Sequence, residues 1–424
     1  MKTRHITLLI TITVTILSSA STQAQEYAYL QELEDNPGMI AGCDWLCPAE
    51  PVALTPAPKG YKPFYVYYYG RHGARYAWQD DLYSSIRDVF QKADSKGILT
   101  DKGKSFLERF ETLWPDIKYN TGILSRKGWE QLSQIARTMY SAFPEAFKGE
   151  ASVEAAASPT GRCILSMSSL CQGLKEMNPK LKITEHAGAL WLDSTLPQSS
   201  SNPLRVVPES LPIAFDETWE EYIARSFDCD AMLGRLFTDL DAAVPAEKRW
   251  DLIYYLNYFV HGMASLDTDL DFYDIFTEEE QITIWKIDCF QFYTNAWPKH
   301  LGYMPIVRDI IERADRHIKD SDNGADVRIG HDSTVLPLMM ILGVKGYDHV
   351  CTDPEEIPVW CRMNDVPMGA NLQFVFYRPK KGGETLVKVL HNGTEARISV
   401  PTDIWPYYRW SDFKDTFDAP QPAK

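Results

Sequence analysis

Basic residues are in short supply in this sequence: 43 Lys and Arg stand against 58 Asp and Glu, a net charge of −15 over 424 residues. So acidic a bulk surface is a poor match for nucleic acid or an anionic membrane, and an anionic ligand would need a locally basic pocket. Past the first residues there is no apolar run long enough to span a bilayer. There is no His-Glu-x-x-His zinc helix, no Gly-x-Ser-x-Gly nucleophile elbow and no phosphate-binding Walker loop, so the signatures of three large hydrolase classes are missing. No segment repeats, which argues against a solenoid or propeller.

What is present suits a folded globular chain: 45% apolar and 24% charged residues, enough for a large core and two or three domains. Lys2 and Arg4, the apolar stretch from Ile6 to Leu17 and the small residues that follow predict a signal peptide over residues 1–24, cut after Ala24. The remaining chain, two basic residues poorer, is then expected to be exported to the periplasm or outside the cell. Eight cysteines after such a leader permit disulfides. Cys351 and Cys361 bracket a turn-rich segment that a disulfide could close. Cys163 and Cys171, two turns apart on one helix, are too distant to bond. Cys43 and Cys47 lack partners for a metal site.

The hydrophobic pattern predicts an α/β fold with a mostly parallel sheet flanked by helices. Residues 25–63 read as an irregular, Pro-rich lead-in, followed by a strand at Phe64–Tyr69. Helices cover 81–147, a short strand falls in 151–159, and a helix follows at 161–174. From 185 to 300 helical patterns dominate, which predicts a mainly helical cap between two halves of an α/β domain, 25–184 and 301–424. In the second half a helix at 305–318, a strand at 325–330, a helix at 334–343 and two closing strands restore the α/β alternation. The acids in residues 267–278 are spaced like a calcium loop, but Phe272 stands where the sharp turn needs glycine, so a solvated acidic turn is expected. Asn392-Gly393-Thr394 is a glycosylation sequon in a turn.

One pattern recurs at strand ends. Arg71, His72 and Arg75 follow the first strand, Arg162 follows the second, and His331-Asp332 follows the third, where Asp332 or Ser333 would cap a helix. In a parallel sheet the loops leaving strand C-termini share one edge, where ligands bind. The six residues are therefore expected to converge. A bound dianion would offset their mutual repulsion, because guanidinium forks match phosphate oxygens and helix N-termini add partial positive charge.

The segment Arg71-His72-Gly73-Ala74-Arg75-Tyr76, with the later lone arginine and Gly330-His331-Asp332, resembles the histidine acid phosphatases, branch two of the histidine phosphatase superfamily. Residues 122–128 (GILSRKG), 157–174, 330–344 and the last strands are similar to further segments of that family. GILSRKGWEQLSQIARTMYSAFPEAF is closer to multiple inositol-polyphosphate phosphatases and phytases. Two departures stand out. Ala77 occupies the place of a usual proline, and His331-Asp332-Ser333 replaces the His-Ala-Glu of the inositol-polyphosphate group.

The resemblance implies His72 as nucleophile, forming a phosphohistidine, with its other ring nitrogen fixed by the Gly73 carbonyl. It implies Arg71, Arg75, Arg162 and His331 as phosphate ligands and Asp332 as proton donor, with no metal and no cofactor. The nearby cations should depress the His72 pKa and keep a nitrogen free at acidic pH. Asp332 must carry its proton at the working pH, which implies an acidic optimum. The expected partner is a phosphorylated anionic small molecule, phytate or another inositol polyphosphate, rather than nucleic acid or membrane. A broad sugar-phosphate phosphatase, a phosphomutase and a catalytically dead phosphate-ester binder are the alternatives.

Overall fold

A computed structural model describes residues 29–48, 50–79 and 81–417. The predicted leader, 1–24, lies outside the described residues. Eight strands form one sheet: β1 (Tyr61–Arg71), β2 (Ser152–Ala157), β3 (Lys182–Ala187), β4 (Gly324–Gly330), β5 (Asn371–Pro379), β6 (Leu386–His391), β7 (Thr394–Glu395) and β8 (Tyr407–Arg409). Their order is β3-β2-β4-β1-β5-β6-β7, with β8 also paired to β6. Parallel pairing is confined to one half, β3-β2-β4-β1, and every pairing from β1 to β5 onward is antiparallel. The half predicted from strand-helix alternation is the parallel one. The closing strands, joined by short turns, can only run antiparallel.

β1 is central and buried on both faces. Tyr65, Tyr67 and Tyr69 enter one apolar cluster, and Val66 and Tyr68 the other, the two-residue alternation of a pleated strand. The helices Arg126–Ala142 and Gly161–Met177 cover the second face through Leu132, Met139, Met167 and Leu170. Met304–Asp320 and Asp332–Leu342 cover the first.

β4 follows the same alternation with a different content. Ala325, Val327 and Ile329 join the apolar cluster, while Asp326 and Arg328 point to the opposite face, fully buried. Arg328 Nε donates to Asp309 Oδ2 at 2.9 Å and its NH2 to Asp326 Oδ1 at 3.2 Å. The hydroxyls of Tyr65 and Tyr67 donate to Asp326 and Asp309 at 3.0 and 2.7 Å. Burial pushes the Asp326 carboxyl up, but His317, Arg328 and Arg313 together hold it below its ordinary value. This buried net fastens the helix Met304–Asp320 to the strand that leads into His331. Asp326→Ala would leave the Arg328 guanidinium short of a partner at zero exposure, at an expected cost of about 3–5 kcal/mol. Urea unfolding measures it, and a loss under about 1 kcal/mol would mean the net does not hold the strand.

Between β3 and β4 the described residues form helices and turns, with a single isolated bridge from Leu99 to Phe237. β3 itself extends three residues into the stretch predicted as helical. That stretch does not pack alone. The helix Leu82–Ser95 lies against Arg249–Gly262, and Phe106 meets Phe259 edge-on at 5.8 Å and Phe272 at 5.4 Å. Phe272, in the place of the calcium-loop glycine, is thus a core ring. Of the acids around it, Asp274 pairs with Arg109 at 2.9 Å and Asp267 with Arg126 at 2.7 Å.

All eight cysteines are free thiols, Cys351 and Cys361 included, so the predicted loop closure is not seen. The sequon amide is engaged too: Asn392 Nδ2 donates to the Asp365 carbonyl at 3.1 Å. No helix among the described residues is long and apolar enough to cross a membrane.

Candidate active site

The strand order β2-β4-β1 brings three strand ends side by side: Ala157, Gly330 and Arg71. The register makes Arg71 the partner of Gly330. The loops that leave them carry all six predicted residues, so a sequence separation of 260 residues closes into one cluster.

His72 is 2% exposed and its Nδ1 lies 2.9 Å from the Gly73 carbonyl. A carbonyl only accepts, so Nδ1 carries the hydrogen and Nε2 keeps its lone pair. Burial is the largest influence on the ring, followed by Arg71, Arg75, His331 and Arg162, and together they hold its pKa well below the ordinary value. The shift favours the neutral, nucleophilic form of the ring.

The backbone around His72 has no slack. Gly73 donates its N–H to Ser166 Oγ at 3.0 Å, and a Cβ there would come within 2.6 Å of the Gly128 carbonyl. Gly128 is tighter still, since a Cβ would meet the Ala74 carbonyl at 2.1 Å. Ser125 accepts the N–H of Gly128 as N-cap of Arg126–Ala142 and donates its hydroxyl to Ala74 at 3.2 Å. The LSxxG pattern of residues 124–128 is thus a docking device: cap and bare backbone let one helix end touch the nucleophile loop. Gln131, one turn on, accepts from Ala74 N at 3.1 Å and donates to the carbonyl of Met368 at 2.7 Å.

Arg71 is fully buried. Its NH1 donates to the carbonyls of Cys43 and, at 2.8 Å, Val366, and its NH2 lies 2.8 Å from Asp332 Oδ2 as an ion pair. Arg75 donates to the Tyr76 carbonyl at 3.1 Å and lies 3.5 Å from Asp44 Oδ1. Arg162 reaches from the helix Gly161–Met177 to His331 Nδ1 at 3.5 Å. The guanidinium nitrogens Arg71 Nε, Arg75 Nε and Arg162 Nε are buried without a hydrogen-bond partner. Three arginines with spare buried donors around one neutral imidazole make a socket for an oxyanion.

His331 completes one wall. Its ring stands 5.6 Å from that of His72, and its Nε2 is 3.0 Å from Ser158 Oγ. Burial, then Arg162, lowers its pKa to about 4. Its position corrects the predicted cap. His331 is the N-cap, with extended backbone angles, and Asp332 is the first helical residue. The Asp332 side chain folds back so that Oδ1 accepts from Ser333 N at 2.6 Å, while Oδ2 faces Arg71. Burial would push its carboxyl up, but Arg71, His331 and the Ser333 amide outweigh it and leave the pKa below the ordinary value. The expectation of a protonated Asp332 therefore does not hold for the ligand-free site. The free site favours the carboxylate form, paired with Arg71.

Sequence reasoning missed several contributors. Asp44, 3% exposed, comes from the lead-in read as irregular, where Pro37–Asp44 forms a 3-10 turn. Nothing in its local pattern marks it. Ser158, Ser166 and Gln131 are ordinary helix and turn residues in sequence, recognisable only by what they touch. The Ala77 departure has a structural reason: its N–H donates to the Tyr83 hydroxyl at 2.8 Å, a bond proline could not make. Ser333, the residue after Asp332, lines a cavity of about 320 Å³ together with Asn295, Lys299, Tyr303 and Leu336 among others.

The sequence profile of the histidine phosphatase superfamily (branch 2) matches residues 70–392, which span the whole cluster. No curated protein matches the chain in sequence. Among solved structures, the multiple inositol polyphosphate phosphatase of Bifidobacterium longum in complex with inositol hexasulfate superposes with a TM-score of 0.71 at 16% identity, covering 90% of this chain and 98% of its own. The phytase of D. castellii gives a TM-score of 0.66 at 16% identity, covering 90% and 84%. The Hafnia alvei phytase in complex with tartrate gives 0.52 at 14%, covering 85% and 98%.

Proposed function

The chain belongs to branch 2 of the histidine phosphatase superfamily and is a phosphomonoester hydrolase, and on that premise we propose that it removes phosphate from inositol polyphosphates through a phosphohistidine at His72. The observation that carries the reading is the His72 ring itself: Nδ1 committed to Gly73, Nε2 left nucleophilic and three guanidinia around it, one of them paired with Asp332.

In the first step His72 Nε2 attacks phosphorus, forming N–P as the P–O bond to the alcohol breaks. Arg71, Arg75 and Arg162 hold the non-bridging oxygens, and His331, engaged by Ser158 and Arg162, lines the phosphate socket beside them. The leaving oxygen takes a proton through Asp332. In the second step the Asp332 carboxylate removes a proton from water, whose oxygen attacks phosphorus and releases His72 and inorganic phosphate. The charge that a metal ion supplies in other phosphoryl transfers is supplied here by arginine, so chelators are expected to leave turnover unchanged.

The inositol reading is supported by the named ligands of the structural relatives and by the cavity that Ser333 lines, where Lys299 offers a second phosphate a cation. Lys299→Ala is expected to raise KM for phytate about tenfold while leaving p-nitrophenyl phosphate unchanged. Equal effects on both substrates would remove this cavity from substrate recognition. The function as a whole is tested by phosphate release from phytate, glucose 1-phosphate and p-nitrophenyl phosphate in parallel. Preference for phytate by kcat/KM supports the proposal, and preference for glucose 1-phosphate makes the protein a sugar-phosphate phosphatase. Export follows from the basic and apolar leader, and N-terminal sequencing of the secreted protein should begin at Gln25.

A further inference from the structure

Away from the catalytic cluster, a second group of ligand-type side chains comes together. His349, Cys351 and Glu356 lie in the connection after the helix Asp332–Leu342, with a ring nitrogen, Sγ and a carboxylate oxygen all within 4.8 Å of one another. His349 Nε2 and Glu356 Oε2 are 3.9 Å apart, too far for a hydrogen bond. Around a tetrahedral zinc, bonds of about 2.0–2.3 Å place neighbouring ligands roughly 3.3–3.8 Å from each other, so the His349–Glu356 pair is already near that spacing and the whole set, within 4.8 Å, closes on a metal with shifts of about 1 Å.

Each ligand is held from behind. The His349 ring stacks on Trp360 with centroids 4.2 Å apart, and its Nε2 is buried without a hydrogen-bond partner. Glu356 Oε2 accepts from Thr352 N at 2.9 Å. Cys351 is 1% exposed, and its backbone N–H donates to the Tyr293 hydroxyl at 3.1 Å. A buried imidazole nitrogen with nothing to bind is a cost that most sites of this kind avoid.

We propose that His349, Cys351 and Glu356 form a divalent-metal site suited to Zn2+, which fastens the connection between Leu342 and β5. One nitrogen, one sulfur and one oxygen are a borderline-soft donor set, and three protein ligands leave the fourth position to water. On binding, the Cys351 S–H bond breaks, a zinc–sulfur bond forms and the proton passes to the buffer. The site is not part of the phosphatase chemistry. Asp332 starts the 11-residue helix whose far end leads to His349, and such a helix is about 16 Å long.

The test uses the full mature protein without a histidine tag, reduced and stripped with chelator, then titrated with Co2+ and Zn2+. One Co2+ per chain should bind and give a thiolate-to-cobalt charge-transfer band in the near ultraviolet, lost on adding one Zn2+. Cys351→Ser should abolish the band, and His349→Ala should weaken Zn2+ binding by roughly tenfold or more. Zn2+ at a hundredfold excess over its dissociation constant should raise the thermal midpoint by about 3 °C, with turnover on p-nitrophenyl phosphate unchanged in the wild type and both variants. Absence of the band, its survival in Cys351→Ser, or a Cys351–Cys361 disulfide in the unreduced native protein would overturn the proposal.

Discussion

His72→Ala is expected to lower phosphate release from every substrate by about four orders of magnitude or more, with the fold intact. The size follows from what the side chain does. Arg71, Arg75 and Arg162 reach the site from other backbone positions and would still bind a phosphate ester in the variant. What is lost is the attacking atom, and no other neutral nucleophile lies beside it: His331 is committed to Ser158 and Arg162. Binding of inorganic phosphate should therefore survive while turnover does not. Rapid acid quench of the wild type with labelled substrate should trap phosphate on histidine, and quenched His72→Ala should trap none. Turnover within tenfold of wild type in the variant would eliminate the covalent route.

Asp332→Asn is expected to lower kcat on phytate by about 10²–10⁴, and much less on p-nitrophenyl phosphate, whose leaving phenolate needs no proton. The pH dependence carries the same information. The Arg71 pairing keeps the Asp332 carboxyl below its ordinary value in the free site, so over the working range it brings no proton of its own. The proton then enters with the substrate, as the phosphate monoanion, whose second ionisation lies near pH 6. Once the phosphoryl group engages Arg71, the carboxylate loses part of its counter-charge and becomes basic enough to take that proton. The sign follows directly: kcat/KM should be level below about pH 6 and fall about tenfold per unit above it. The depressed His72 pKa removes the limb near 6.5 that an ordinary histidine would impose. A profile rising from pH 5 to 7 would show that the proton does not arrive this way.

An acidic optimum is still expected, but for a different reason than a protonated aspartate in the resting site. The sequence places Asp332 after a strand and next to His331. It does not reveal that Oδ2 points to a fully buried arginine from another strand. The same holds for the cap position, which fell one residue earlier, on His331, because the backbone must stay extended there to continue β4.

Local pattern determined a good deal by itself. Six residues at three strand ends named the catalytic cluster, since strand, turn and helix signals survive in short windows and a parallel sheet forces its C-terminal loops to one edge. The unbroken aromatic and β-branched run Phe64–Tyr69 marked β1 as a buried strand. Tertiary structure decided what depends on distant partners. It brought Asp44 to Arg75, set Ser166 and Gln131 behind the nucleophile loop and explained Ala77 by the Tyr83 hydroxyl. It also joined two stretches of chain into one helical layer around Phe106, Phe259 and Phe272. Hydrogen bonds and ion pairs act over a few ångströms in space and leave no trace in sequence spacing, so the charge state of Asp332 could only be read once Arg71 stood 2.8 Å away.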